Sequence, residues 1–296
     1  MDKIDIESLK KRIYIPESDS HKGENGKLLV IGGSELFHAA SLWAAEVGSR
    51  IVDMVYYSSV EENNEMFGKL KRIFRDGIVV KREDLDDYVG EADCVLMGPG
   101  MVRGEKKEEV RAGGLVEIGS IENEGRATRE LTGYLVKKYK DKKWVLDAGS
   151  LQMMDVDWLM EMKKVLITPH EGEFCSLFGV EKKEIEKMKD RVKVVEKMAR
   201  EYGCVVLLKG EVDVICDGKE RIVVKGGNAG MTKGGTGDVL AGLVGGLSCK
   251  NDLFLAAEVG SYVNKMAGER LYKKVGFYYN ASDLAGEVVK VLKEII

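Results

Sequence analysis

The chain has 296 residues, of which 44% are hydrophobic and 32% charged, a composition typical of a folded globular protein. No apolar run approaches the roughly 18 to 20 residues that cross a bilayer, and the N-terminal residues MDKIDIESLKKR lack the apolar core of a signal peptide. We therefore expect a cytoplasmic protein that does not contact membranes. The net charge of −4 also argues against a broad nucleic-acid surface.

In chain order, short apolar runs alternate with stretches of helical periodicity. KLLVIGGS (27–34) precedes AASLWAAEVGSR, VDMVYYSS (52–59) precedes VEENNEMFGKLKR, and CVLMGPGM (94–101) precedes a charged helical stretch. The next three runs are KWVLDAGSL (143–151), KVLITPHEGEF (164–174) and CVVLLKG (204–210). Alternating helices and uniformly apolar strands predict a mostly parallel, doubly wound α/β sheet with helices on both faces. We expect a single domain spanning 1–296.

Three further features complete the predicted fold. DVICDGKERIVVK (213–225) is typical of a β-hairpin that turns at Asp217-Gly218. Residues 102–128 show the least regular pattern, so we expect a loop or surface excursion there. The five cysteines lie far apart with no Cys-x-x-Cys pair, which predicts reduced, mostly buried thiols.

The ends of the predicted strands carry the candidate site. The motifs IGGS, GPGM, DAGS, TPHEGE and LKG end five separate strands with small or polar residues. Ligands of open α/β sheets bind beyond the carboxyl ends of the strands. A single glycine turn is often only structural, but five converging turns predict a binding site.

GGTGD (234–238) predicts the chemistry of that site. Glycines at a helix N-terminus let backbone N–H groups face an anion, and the helix dipole adds a favourable field. Phosphate fits such a pocket, and Asp238 beside it is placed to act as a general base during phosphoryl transfer. The alternative is that Asp238 only caps the helix.

Together these motifs carry a resemblance. HKGENGKLLVIGGS, GPGM, LDAGSL, TPHEGEF, LKGEVDVI and GNAGMTKGGTGDVLAGLVGGL, in that order over residues 21–247, resemble the ADP- or ATP-dependent NAD(P)H-hydrate dehydratases of the ribokinase-like superfamily. Ribokinase-like vitamin kinases tend to carry Asn-x-x-Glu after the Thr-Pro step, whereas this chain carries His170-Glu171-Gly172-Glu173. The resemblance therefore favours the dehydratase over the kinase.

The resemblance implies roles for individual residues. Asp238 matches the acid that activates the substrate hydroxyl, and Glu173 matches the acid that organises Mg²⁺ indirectly, through water. The positions that would line the hydrated nicotinamide nucleotide are Ala40, Gly100, His170 and Asp238. Those that would contact the nucleotide are Lys209, Gly210, Glu211, Val212, Asp213, Gly234, Gly235, Thr236 and Gly237. Without the resemblance, His170 would be interpreted as a residue at the start of a helix whose side chain hydrogen-bonds to the backbone. Lys209 would be interpreted as an ordinary lysine at the end of a strand.

The implied reaction repairs a damaged cofactor. Water added across a ring double bond of NADH or NADPH leaves a hydroxyl, which is a poor leaving group. Phosphorylation of that hydroxyl in the (S) epimer by ADP or ATP, followed by loss of phosphate, restores the dihydronicotinamide. The resemblance further implies Mg²⁺ as cofactor and a homo-oligomer such as a tetramer. Because too few residues precede His21 to form an epimerase, we expect the other epimer to depend on a separate epimerase or on spontaneous epimerisation.

Four positions depart from the family pattern. Ala229 and Glu171 stand where proline is common, and Asp213 stands where threonine is common. An acid at 213 would repel a nucleotide phosphate nearby. Ala39, in place of a Gly-Ala step, is expected to narrow the substrate pocket.

Two other functions use the same residues. A ribokinase-like kinase of a small vitamin or sugar would also need Asp238, and a non-catalytic nucleotide-binding protein would need only the glycines. The kinase accumulates a phosphorylated substrate, the dehydratase releases phosphate, and the binding protein does neither. The choices between ADP and ATP, and between NADH hydrate and NADPH hydrate, stay open.

Overall fold

The computed structural model describes residues 4–69, 75–105 and 113–296. Within these residues the strands are β1 Lys27–Ile31, β2 Met54–Ser58, β3 Ile78–Val79, β4 Cys94–Met97, β5 Lys143–Leu146, β6 Lys164–Ile167, β7 Val205–Leu208, β8 Asp213–Cys216 and β9 Arg221–Val224. The α-helices are α1 Ile6–Arg12, α2 His38–Gly48, α3 Glu61–Lys69, α4 Leu85–Glu91, α5 Leu115–Gly119, α6 Glu124–Lys138, α7 Ala148–Met153, α8 Trp158–Glu161, α9 Glu171–Phe178, α10 Met188–Tyr202, α11 Thr236–Lys250, α12 Leu253–Val275 and α13 Ala281–Ile295.

All nine strands form one sheet in the order β3-β2-β1-β4-β5-β6-β7-β8-β9. The strands from β3 to β7 are parallel, and β8 and β9 add an antiparallel hairpin. The chain winds outward in one direction from β1 and in the other from β4, so the strand order reverses between these two neighbours. Loops diverge at such a reversal and leave room for a ligand.

Helices cover both faces of the sheet, because its strands bury side chains in both directions. One face, with Leu29, Val95 and Leu146, packs against helices that include α4, α6 and α10. The opposite face, with Leu28 and Leu96, packs against α2, α11 and α12. A second helical layer formed by α1 and α13 then covers α11 and α12. This arrangement confirms the predicted doubly wound α/β fold with a mostly parallel sheet.

The predicted strands and the hairpin are confirmed, whereas the loop or surface excursion predicted for 102–128 contains helix as well as loop. α5 and the start of α6 lie in that range, and residues 106–112 fall outside the described residues. Polar side chains conceal the helical pattern of α6, since Arg129 is buried and forms an ion pair with Asp155 at 2.7 Å.

The cysteines are free thiols: Cys94, Cys204, Cys216 and Cys249 are buried, and Cys175 is half-buried. Across the described ranges, no helix combines the length and the apolarity needed to span a bilayer.

Candidate active site

The candidate site lies beyond the carboxyl ends of β5, β6 and β7. Asp147 directly follows β5 and is buried, and Lys209 directly follows β7. The Lys209 ammonium lies 2.8 Å from Asp147 Oδ1. His170 pairs with Lys209 as an isolated parallel bridge, while the Lys209 amide donates to the carbonyl of Pro169 at 2.8 Å. Three strand ends are thus joined by direct contacts.

Asp238 enters this group from the first turn of α11. It is the third residue of that helix, where Gly235 is the N-cap, and no side chain caps the helix end. The alternative that Asp238 is the N-cap is therefore wrong. By helical geometry, the first amides of α11, including that of Gly237, have no partner within the helix and can face an anion.

The charges around Asp238 perturb its acidity. Burial, reinforced by the negative charge of Asp147, raises the pKa of Asp238 from its ordinary 3.8 to about 7, against the opposing effect of Lys209. For Lys209, burial alone would lower the pKa, but the carboxylates of Asp147, Glu173 and Asp238 outweigh it and raise the pKa above its ordinary value. Asp238 thus holds a pKa suited to a general base near neutral pH.

His170 and Glu173 form the start of α9 together. His170 Nδ1 accepts hydrogen bonds from the amides of Gly172 and Glu173, and Glu173 Oε2 accepts one from the His170 amide at 2.8 Å. The imidazole is therefore a helix cap, as it would be without a family role, and its Nδ1 is occupied. Its Nε2 lies 3.6 Å from Glu173 Oε1, on a side chain that is 59% exposed, and is free to meet a ligand.

Glu173 is held from two sides. Its Oε1 accepts a hydrogen bond from Gln152 Nε2 at 2.9 Å, in addition to the bond from the His170 amide to Oε2. Both oxygens are thus engaged. Among the described residues, no three His, Cys, Asp or Glu side chains stand close enough to hold a metal ion.

Ala40 and Gly100 meet at the strand-order reversal between β1 and β4. Gly100 has φ +73°, and a Cβ built there would lie 2.5 Å from the carbonyl oxygen of Phe37 and 3.0 Å from the Cβ of Ala40. A side chain at 100 would close this approach. On the same loop, the backbone at Gly98 approaches the backbone of Asp147, because a Cβ built on Gly98 would lie 1.7 Å from the carbonyl oxygen of Asp147.

A cavity of about 780 Å³ opens beside Gly33, beyond the ends of β1 and β2. Asp238 and Lys209 do not line it. Its wall carries seven glutamates: Glu35, Glu61, Glu62, Glu65, Glu83, Glu122 and Glu124. With Lys81 and Arg82 as the cations of the same lining, the seven glutamates leave this cavity negatively charged, which is unfavourable for a polyphosphate.

The three glycines of GGTGD differ in whether the structure requires a glycine at their position. Gly235 has φ +93°, and a Cβ there would lie 2.4 Å from the ring of Trp43, so its backbone and its packing both require glycine. A Cβ on Gly237 would meet only Lys209 Nζ, at 3.7 Å, and Gly234 has open space. The hydroxyl of Thr236 points back to the carbonyls of Met231 and Lys233.

Asp213 faces away from the site, in contrast to the repulsion anticipated from its charge. Its carboxylate is buried and lies 3.2 Å from the Lys265 ammonium. It also accepts hydrogen bonds from the Gly210 amide at 2.9 Å and the Ser261 hydroxyl at 2.7 Å. Glu211 is exposed and Val212 half-buried on the same turn.

Sequence reasoning missed Asp147, Gln152, Ser261 and Lys265. The signal for Asp147 was an acid directly after an apolar strand, in the LDAGS motif. The signal for Lys265 was a single cation within the otherwise uncharged stretch GSYVNKMAG.

The sheet order and an acid beside glycines at the N-terminus of α11 define a ribokinase-like α/β protein. An ADP/ATP-dependent NAD(P)H-hydrate dehydratase from Bacillus subtilis, co-crystallised with ATP/Mg²⁺, shares this fold with a TM-score of 0.78 and 21% identity over 99% of this chain and 98% of that one. The family model of NAD(P)H-hydrate dehydratase matches residues 28–290. The chain belongs to the NAD(P)H-hydrate dehydratase family.

Two archaeal relatives extend over nearly the whole chain. An ADP-dependent (S)-NAD(P)H-hydrate dehydratase from Nitrosopumilus maritimus is 33% identical over 96% of this chain and 94% of its own length. A bifunctional NAD(P)H-hydrate repair enzyme from Methanocaldococcus jannaschii is 33% identical over 98% of this chain and 52% of its own length. The chain thus spans about half the length of the bifunctional relative.

Proposed function

We propose that this chain dehydrates the (S) form of hydrated NADH or NADPH, with ADP or ATP as phosphoryl donor. The observation that carries the proposal is Asp238, a carboxylate with a pKa of about 7 beside the Lys209 ammonium at the N-terminus of α11. Family membership and the ADP-dependent relative at 33% identity support the substrate and the donor.

In the first step Asp238 takes the proton of the substrate hydroxyl. The hydroxyl oxygen forms a bond to the terminal phosphorus of the nucleotide as the bond from that phosphorus to its bridging oxygen breaks. Lys209 and the first amides of α11 stabilise the transferring phosphoryl group electrostatically. AMP leaves when ADP is the donor, and ADP leaves when ATP is the donor.

In the second step the phosphate ester is eliminated. The C–O bond breaks with its electron pair going to phosphate, and the neighbouring ring carbon releases a proton to water as the electrons of its C–H bond form the double bond. The products are the dihydronicotinamide, inorganic phosphate and a nucleotide shortened by one phosphoryl group. We propose that Ala40, Gly100 and the Nε2 of His170 line the pocket for the hydrated ring.

Nucleotide contacts are proposed for the turn after β7 and for the first turn of α11. Lys209 to Val212 would follow the polyphosphate, with Asp213 supporting the turn from below. Gly237 leaves space beside Lys209, and Gly234 is exposed on the approach to it. Gly235 and Thr236 would act through the backbone shape that they maintain.

Mg²⁺ is proposed to enter with the nucleotide. The carboxylates of the described residues do not form a cage for the ion, and both oxygens of Glu173 already accept hydrogen bonds. Mg²⁺ commonly keeps several waters and binds through substrate phosphates, which such a site allows. Glu173 would then act on a water bound to the ion and not on the ion itself.

Product analysis tests the proposal. Purified protein is incubated with the hydrate and with ADP or ATP separately, and we expect recovery of dihydronicotinamide absorbance together with stoichiometric phosphate. Accumulation of a phosphorylated substrate would instead identify a kinase. Nucleotide binding without any product would identify a binding protein.

We also propose that the protein is a cytoplasmic homo-oligomer, for example a tetramer. It would work beside a separate epimerase that acts on the other form of the hydrate. Size-exclusion chromatography with light scattering checks the assembly. Incomplete conversion of a mixed hydrate, completed on addition of an epimerase, checks the partner.

A further inference from the structure

A buried ion pair lies beneath the turn that follows β7. Asp213 and Lys265 are 4% and 5% exposed, and their charged groups are 3.2 Å apart. The Ser261 hydroxyl, which is fully buried one helical turn before Lys265 on α12, donates to Asp213 Oδ2. A buried charge pair is stable only when the remaining polar atoms are also satisfied, and here they are.

The Lys265 ammonium donates mainly to the backbone of that turn. It lies 2.9 Å from the carbonyl oxygen of Gly210, 3.1 Å from that of Glu211 and 3.4 Å from that of Gly226. Asp213 binds the same turn through the Gly210 amide at 2.9 Å. One lysine thus joins α12, the turn after β7 and the segment after β9.

The turn has little buried side chain to hold it, since Gly210 and Glu211 are exposed and Val212 is only half-buried. Its start is fixed on the other side, where the Lys209 amide donates to Pro169 and the Lys209 ammonium meets Asp147. Without the ion pair, the backbone between Lys209 and Asp213 would keep few fixed contacts.

We infer that Asp213 and Lys265 are positioning residues that hold the turn Lys209–Val212 in its nucleotide-binding shape. This rests on the proposed function for the nucleotide contact itself, whereas the order that the pair imposes on the turn does not depend on it.

The experiment compares Lys265→Met, Asp213→Asn and the double variant with Lys273→Met. Lys273 is an exposed lysine of the same helix and serves as the matched control. Lys265→Met leaves a buried, unpaired carboxylate and is expected to lower the Tm. The double variant removes that charge as well, so we expect it to regain most of the lost Tm.

Two readouts test positioning. Amide hydrogen exchange without nucleotide should quicken about tenfold or more over 209–213 and 226–228 in Lys265→Met and the double variant, and stay unchanged over β1. The Kd for ADP, measured by calorimetry without hydrate, should rise about tenfold in the same two variants, because a misplaced contact costs binding. In turnover, the KM for ADP should rise far more than kcat falls.

The double variant separates positioning from simple stability. Regained Tm with ADP affinity still weakened supports the inference, and regained Tm with ADP affinity restored overturns it. Unchanged exchange over 209–213 in Lys265→Met also overturns it. If the unaltered protein proves not to dehydrate the hydrate, the proposed function fails, while the exchange result still decides whether the pair orders the turn.

Discussion

Asp238 is half-buried and has the carboxylate of Asp147 as a neighbour, and partial burial together with that like charge raises its pKa to about 7. We expect Asp238→Asn to lower kcat by about 10² to 10⁴, because an amide keeps the shape but cannot accept the proton. ADP affinity, measured by calorimetry, should be retained. In the unaltered enzyme kcat/KM should rise with pH through about 7 and then level. A variant that keeps near-normal turnover would rule out Asp238 as the base.

The same raised pKa predicts a cost in stability. In the folded state Asp238 keeps its proton up to about pH 7, whereas in the unfolded chain it releases that proton near pH 3.8. The contribution of this proton to the free energy of unfolding is therefore complete below pH 3.8 and is lost as the pH rises through about 7. The loss is at most about 4 kcal/mol. Asp238→Asn should therefore raise the Tm more at about pH 8 than at about pH 5. A pH-independent difference in Tm between the two proteins would contradict this.

His170 separates capping from ligand contact. Asparagine is a good N-cap, so His170→Asn should leave the Tm unchanged and weaken hydrate binding about tenfold, the equivalent of one hydrogen bond. His170→Ala should weaken hydrate binding similarly and also cost about 1 kcal/mol of stability through the lost cap. Calorimetry with the hydrate and thermal unfolding measure the two effects. Unchanged hydrate affinity in both variants would remove His170 from the pocket.

At this scale the sequence predicts roles only for residues whose chemistry is local, and those roles stay predictions. GGTGD pointed to Asp238 because an acid beside three glycines at a helix start has few other uses. The ion pairs of Lys209 with Asp147 and of Asp213 with Lys265 join residues 62 and 52 positions apart. The sheet order brings the first pair together, and the packing of α12 against the sheet brings the second together. The charge on Asp213 suggested repulsion because its partner lies on a helix beyond the recognised motifs.

At the scale of elements, the first turn of α11 offers a matched pair of glycines. Gly237→Val should weaken ADP binding at least tenfold with little change in Tm, because its Cβ has space and β-branched residues lower helix stability only slightly. Gly235→Ala should lower the Tm, since its backbone has φ +93° and its Cβ would overlap the ring of Trp43. Calorimetry and thermal unfolding check both. If Gly237→Val lowers the Tm markedly as well as the ADP affinity, the variant is misfolded.

The elements predicted from apolar runs followed by glycine are confirmed, because buried parallel strands are apolar throughout. The helices within 102–128 were missed for the opposite reason. α6 starts in that range and buries Thr128, and just beyond the range it buries Arg129 and Glu130, polar residues that a core-facing helix rarely carries. Arg129 is stabilised by Asp155, which follows α7, and that contact cannot be read from the local pattern.

At the scale of the molecule, one continuous sheet predicts one cooperative unit. We expect a single thermal transition and a rise in unfolding free energy with ADP, by about 2.7 kcal/mol at a hundred times its Kd. Calorimetric scans with and without ADP measure both, and Asp238→Asn should show the same ADP shift. Two resolved transitions would contradict the single domain expected for 1–296.

The sheet and its last covering helices are made at different times. Every strand of the described sheet precedes residue 225, whereas α11 and α12 follow it and pack on the face that carries Leu28, Leu96 and Leu166. α2 covers only part of that face beforehand. During translation the rest of that sheet face stays exposed to solvent while about fifty further residues are added, which takes several seconds at typical elongation rates. A nascent chain paused after β9 therefore presents a broad apolar surface, which makes it a substrate for chaperones until α12 has emerged.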